Sequence, residues 1–496
     1  MESEHKNRVY SLILLASAIF SYFAITFGFF PNLGFSISFI SFTLLAYYIK
    51  KEKTLTTKIF FVITLILSAF LSIRSEGFLT FLNIVGIFYF GSLFALTKKD
   101  NSENIFSVIF APLTLFWISL FIPNEFSLEF NKSLSEEKKK ESILNTIIVS
   151  LITLAVLAII LPLLSSANPI FEKLLSRMID LMGLENLKIT ENIFEWTIRL
   201  VFFFALVVFV PKMATFIYRK EKNIFNKQLG FNMLMPKIAV AIVLTVFFIT
   251  QFQLYFSSPE TLRALDYTYS RYTNEVFAQL LMVAVIILAL LYFEKEKKKI
   301  NKKMTLILVL EGIFLAFMAY KSDLEYSNAW GFTYKRLYGF AVATWILGIF
   351  TIYLYTFLKN IEKDIFLVKS VIYTGIILIL INISNFDYLI YHYRRASTGQ
   401  GVDLQYLSRL SSDSLSFKEQ LDSIVGNSSD SISDFEKTQA ASKGLFILLY
   451  KVERLQEKYR SPDIRGFNLF EYLQYKEVKN IDTQVLRDKY KVPNPV

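Results

Sequence analysis

Between residues 9 and 390 the chain alternates apolar runs with short basic loops. A bilayer core about 30 Å thick needs roughly 20 apolar residues per helical crossing. Stretches near that length recur at 9–30, 33–49, 59–73, 78–96, 143–165, 196–218, 238–257, 274–293, 304–320, 337–358 and 369–389. In hydrocarbon every backbone N–H and C=O must be bonded within the chain, so these runs are predicted to be helices. A transmembrane β-barrel would show alternating segments of about ten residues, and the sequence does not have that pattern. The expected fold is an all-α polytopic bundle of about eleven spans over residues 1–391. A polar segment, 392–496, follows and is expected to be a small helical C-terminal domain, with helices over 403–422, 435–459 and 467–490.

Composition agrees with this reading. Of 496 residues, 54% are hydrophobic and 19% charged, against about 25% charge in soluble chains. The net charge of +11 does not point to nucleic acid, because the basic residues sit in loops between apolar runs. They are Lys50, Lys51, Lys53 and Lys58; Lys98 and Lys99; Lys138, Lys139 and Lys140; Arg219, Lys220 and Lys222; Lys295, Lys297, Lys298 and Lys299; and Lys359 and Lys363. That is the positive-inside distribution, which places the N-terminus in the cytoplasm and the C-terminus outside. Only one run, 105–122, separates Lys99 from Lys138, and it contains Pro112. An even number of crossings must separate two cytoplasmic loops, so 105–122 is expected to be re-entrant or interfacial. The run 9–30 is too long for a signal-peptide core and is expected to be a retained span.

The chain has no cysteine and only two histidines, His5 and His392. Disulfides, thiolate catalysis, zinc–thiolate sites and Ser-His-Asp triads are excluded. No phosphate-binding glycine motif is present, and no cofactor or metal is expected. Asp403, Asp413, Asp422 and Asp430 are dispersed and read as helix caps rather than as a carboxylate site.

Ionisable residues inside spans are candidates for function because insertion costs at least about 2.5–3.5 kcal/mol each. Glu311 is the foremost. It reads as a proton or cation site or the partner of an arginine, or, near the cytoplasmic interface, as the partner of a lysine such as Lys303. Arg199 with Glu195 reads as an interfacial ion pair four residues apart on one helix face. The densest polar and aromatic cluster in the membrane-embedded part is Arg263, Asp266, Tyr267, Tyr269, Arg271, Tyr272 and Glu275. With Asp323, Glu325, Trp330 and Arg336 from the next outer loop it is expected to line an extracytoplasmic cavity, or to form an aromatic belt with structural ion pairs. Phe171–Met182 reads as an amphipathic helix, with Leu174, Leu175, Met178, Ile179 and Met182 at helical spacing.

Four ordered patches carry a resemblance. They are Thr268–Leu280; Asn328–Tyr338; Asn385-Phe-Asp387 through Tyr406-Leu407 to Leu410-Ser-Ser-Asp413; and Asp463-Ile-Arg465-Gly-Phe-Asn468-Leu469. Together they resemble bacterial membrane proteins of the domain-of-unknown-function families 4153 and 4173. The chain departs from that pattern at Asn274, Val276, Phe386 and Ile464. The resemblance implies a bacterial inner-membrane architecture and no particular chemistry.

The functional expectation is a membrane-embedded binding, sensing or assembly component with an extracytoplasmic helical tail. Its expected partners are the lipid bilayer and, at the outer face, a protein or a lipid headgroup. The alternative is a transporter or channel-like permease with Glu311 and the 258–275 loop near the path. Against a transporter, no inverted repeat or paired broken helices are visible in the sequence.

Overall fold

The computed structural model describes residues 2–24, 32–51, 53–97, 108–115, 191–218, 234–255, 283–292, 299–361, 363–393, 404–427, 435–460, 463–490 and 492–493. Among these residues every regular element is helical. The chain divides into two compact units. One comprises Met1–Lys53, Ala111–Lys222 and Asp463–Phe467. The other comprises Thr54–Phe110, Asn223–Pro462 and Asn468–Val496.

In the first unit, helices Glu2–Phe23, Leu33–Ile49 and Glu191–Tyr218 pack around Val9, Ile13, Leu45, Val210 and Ala214. Asn32 starts the second of these helices by accepting the Phe35 N–H at 2.9 Å, which satisfies one of the helix's unpaired first-turn donors. Arg199 lies over the rings of Trp196 (4.9 Å) and Tyr22 (5.3 Å). The Glu195 side chain expected beside it falls outside the described residues.

The second unit contains helices Leu55–Phe70, Gly77–Leu96, Leu234–Tyr255, Lys299–Trp330, Tyr334–Leu358 and Lys363–Ser384, with a shorter apolar helix at Val283–Tyr292. Leu308, Val309, Ile287, Leu291 and Phe350 are fully buried at its centre. Helices approach closely at Gly312, where a Cβ would lie 2.4 Å from the Phe350 ring; small residues permit such contacts in membrane bundles. Apolar side chains also face outward, with Phe81 59% and Ile383 62% exposed. Helices apolar on every side belong in lipid rather than in water. Thr64 and Ser68 return their hydroxyls to the carbonyls of Phe60 and Thr64, each at 2.8 Å, so no polar group is left open there.

Among the described residues, five helices are long and apolar enough to cross a membrane: Gly77–Leu96, Ile198–Tyr218, Ile300–Lys321, Tyr334–Leu358 and Ile365–Ser384. Shorter apolar helices occupy Asn7–Phe23, Leu33–Ile49, Leu55–Phe70, Leu234–Val246 and Val283–Tyr292. Each overlaps one of the apolar runs read from the sequence. The run 143–165 and the stretch 171–182 lie outside the described residues, as does most of 105–122.

Three segments differ from the sequence reading. The run 369–389 is not one helix. Lys363–Ser384 stops, Asn385 takes a left-handed conformation (φ 44°), and Phe386–Tyr393 begins anew. Asparagine tolerates that region because its side chain bonds locally, and here it accepts the Tyr388 N–H at 3.3 Å. The segments 403–422 and 467–490 are also broken. The first becomes Leu404–Leu407, a 3-10 turn at Ser412–Ser414 and Phe417–Asn427; the second becomes Leu469–Val478 and Thr483–Tyr490. The helix expected over 435–459 is a single one, Phe435–Arg460.

Candidate functional site: a buried charged cluster at the helix ends

Most lysines of the second unit lie at one set of helix ends, while Arg74, Lys335 and Arg336 lie at the other. Lys58 lies near the start of Leu55–Phe70, and Lys299, Lys302 and Lys303 begin Lys299–Trp330. Lys359 follows Tyr334–Leu358, and Lys363 begins the next helix. The opposite ends carry the turn Arg74-Ser75-Glu76, the turn before Tyr334, and the break at Asn385. These three places meet, and the segment Tyr406–Asp413 closes over them.

Asp413 is the centre. It is 1% exposed, and its Oδ1 accepts both the N–H and the hydroxyl of Ser75, at 2.8 and 2.7 Å. Its Oδ2 lies 3.8 Å from the Arg74 guanidinium. The Asn385 side-chain amide donates to the Asp413 carbonyl at 2.9 Å. Arg74 also donates to the carbonyl of Asn382 and lies 4.8 Å from the centre of the Phe470 ring. The Asn468 amide donates to the Arg74 carbonyl at 2.9 Å, and Asn468 caps helix Leu469–Val478. Within the bundle, Asn382 and Asn83 exchange amide hydrogen bonds at 2.7 and 2.8 Å, and both are fully buried.

A second carboxylate lies alongside. Asp387 is 2% exposed and accepts from the Tyr334 hydroxyl and from the Ser411 N–H at 2.7 Å. Tyr406 accepts the Tyr334 N–H at 3.0 Å. A third carboxylate, Glu76, caps helix Gly77–Leu96 through the N–H groups of Phe78 and Leu79 and accepts from the Tyr338 hydroxyl at 3.1 Å. Lys451 donates to the carbonyls of Ser408 and Leu410, both at 2.7 Å. The chain after Tyr391 is therefore tied to the bundle by charge-assisted hydrogen bonds, which are the stronger class.

Burial governs the protonation of this cluster. It pushes Asp413 up to about 7, with the Asp387 charge adding to the shift and Ser75 and Arg74 opposing it. Burial likewise raises Asp387 and Glu76. Burial lowers Arg74, against the pull of Asp413 and Asp387, and pushes Lys451 down to about 8.

The residues singled out from the sequence fall elsewhere. Arg263, Asp266, Tyr267, Tyr269, Arg271, Tyr272 and Glu275 lie outside the described residues, as do the side chains of Glu325 and Trp330. Arg336 is buried and donates to the carbonyl of Gly331. It opposes the rise of Asp323, which burial pushes up to about 7. A Cβ on Gly339 would lie 2.5 Å from the Asp323 carboxylate. Glu311 accepts from the Thr245 hydroxyl at 3.0 Å rather than from Lys303, which is exposed. The sequence reading missed Arg74, Glu76 and Lys451 and took Asp413 for a cap. One signal was available: Arg74-Ser75-Glu76 is a charged turn between two apolar runs. Among the described residues no cluster of metal-ligating type occurs.

The pH dependence has a definite sign. Asp413 shifts from 3.8 to about 7, so the folded state favours its neutral form. The stability it contributes is fully present below the lower value and is lost as pH rises through the upper one. Lys451 acts in the other direction, its contribution fading as pH falls through about 8. Hydrogen exchange of helix Phe417–Asn427 should therefore slow as pH falls from about 7.5 to about 6, after correction for intrinsic exchange. Asp413→Asn should flatten that response. Faster exchange on acidification would contradict this assignment.

No curated protein and no solved structure matches the chain. A family model does match, over residues 59–419. Those residues include Arg74, Glu76, Tyr334, Asp387 and Asp413. The chain belongs to the family described as Domain of unknown function (DUF4153).

Proposed function

We propose that this protein is a binding and sensing component of a bacterial inner membrane, a bundle of about eleven spans whose working face is extracytoplasmic. The observation that carries the reading is the charged cluster that ties the C-terminal helices to the helix ends remote from the lysine-rich ends. Basic ends favour the cytoplasm, so the remote ends, with Asp387, Asp413 and the helices after Tyr391, face outward. Displaced titration clusters at functional sites as well as in structural ion-pair networks, and this buried set supports the first reading here by its place over the outer helix ends. The 105–122 segment then does not cross.

The absence of cysteine makes a direct test simple. Ser423 is exposed on helix Phe417–Asn427. A Ser423→Cys chain should react with a membrane-impermeant maleimide in intact spheroplasts. Reaction only after lysis would place the face in the cytoplasm and defeat the proposal.

One observation favours a second reading, a permease. Glu311 sits midway along Ile300–Lys321, bonded to Thr245 through Oε1, while its buried Oε2 has no hydrogen-bond partner among the described residues. A mid-span carboxylate of this kind suits a proton or cation path. On this reading, pH-driven ion flux in proteoliposomes is abolished by Glu311→Gln. Unchanged flux would remove Glu311 from any path.

A further inference from the structure

A groove of about 420 Å³ runs between the N-terminal ends of helices Gly77–Leu96 and Tyr334–Leu358. Its walls are apolar, formed by Phe78, Tyr338 and Val342, and two opposite charges stand at its rim, Glu76 and Lys335. Phe78 and Tyr338 meet edge to face at 4.9 Å. Below the groove, Phe78, Phe81, Val85 and Phe88 form an exposed apolar stripe along one helix face. The gradient from charged rim to apolar stripe matches the boundary between headgroups and acyl chains.

We propose that this groove binds one zwitterionic phospholipid with a primary-amine headgroup. Charge complementarity selects this occupant. Lys335 is exposed and stands in the first turn of a helix whose N-cap residue, Thr333, supplies no side-chain hydrogen bond. A lipid phosphate there meets an ammonium and the positive end of a helix. Glu76 spends Oε2 on Leu79 and Tyr338 but Oε1 on Phe78 alone. Oε1 thus keeps a lone pair for an N–H donor. A primary ammonium supplies that donor; a choline headgroup has none. A glycerol headgroup leaves the Glu76 charge unanswered. The acyl chain lies along Phe78, Val342 and the stripe beneath. This deepens the binding reading above and rests on the bundle lying in a bilayer, not on which side the face lies.

The test uses the full-length chain in mixed micelles containing phosphatidylethanolamine, phosphatidylcholine or phosphatidylglycerol, with retained lipids counted by native mass spectrometry. One phosphatidylethanolamine should stay bound, with about tenfold preference over either competitor. Val342→Trp, which fills the groove, should abolish retention, and Lys335→Ala, at an exposed position, should weaken retention of all three lipids alike, because each carries the phosphate. Glu76→Gln should remove the preference, and its thermal unfolding in the same detergent separates that loss from a weakened helix cap. Equal retention of the three lipids by the unaltered chain, retention that survives Val342→Trp, or a preference that survives Glu76→Gln would overturn the proposal. The Ser423→Cys labelling is read separately, so failure of lipid selection and failure of the outward orientation are distinguishable.

Discussion

The second unit depends on one interaction, the burial of Asp413 against Ser75 and Arg74. Two apolar helices joined by a short turn would pack in lipid without assistance. The polar chain after Tyr391 has no such reason to stay. Asp413 holds it by accepting two hydrogen bonds from the turn between Leu55–Phe70 and Gly77–Leu96. Arg74 in turn reaches the last turn of Lys363–Ser384 through the Asn382 carbonyl, and Asn468 binds the Arg74 carbonyl. A single turn therefore fixes both the bundle and the helices that cover its end.

Buried charges of this kind rarely maximise stability, because removing them from water offsets most of their attraction. Their geometry is specific, however. Tyr334, Tyr338, Asn385 and Ser75 each direct a donor at a carboxylate or carbonyl of the cluster, and Leu415 is held at φ 50° just beyond it. A left-handed leucine is strained, and such strain persists only where the surroundings impose it. Because burial raises Asp413 and Asp387, the fit of this cap to the bundle is expected to vary with proton binding.

The sequence made the membrane helices legible and the cluster hard to see, for one physical reason. Helix formation in lipid is a local demand, so each apolar run announces itself. A site built from helix ends is not local: Ser75 and Asp413 are 338 residues apart. Asp413 therefore looked like one of several scattered aspartates. Asn385 and Asp387 read as the tail of an apolar run, because a single asparagine permits a left-handed turn without demanding one. Glu311 was visible because a carboxylate amid leucines is conspicuous. Arg336 was noticed for its loop, yet its contacts are to Gly331 and the neighbourhood of Asp323. The ordered patches were the better guide, since Tyr334, Tyr338, Asp387, Tyr406, Asp413 and Asn468 all belong to them.

The most direct test of this account is the coupling between Arg74 and Asp413. Arg74→Met, Asp413→Leu and the double variant would be unfolded thermally in one detergent and compared as a cycle. The account predicts that each single variant is strongly destabilised, because it leaves Arg74 or Asp413 buried without its partner, and that the double variant recovers part of the loss. The coupling should be on the order of 1–3 kcal/mol. Additive losses, with coupling near zero, would mean that this pair does not hold the C-terminal helices to the bundle.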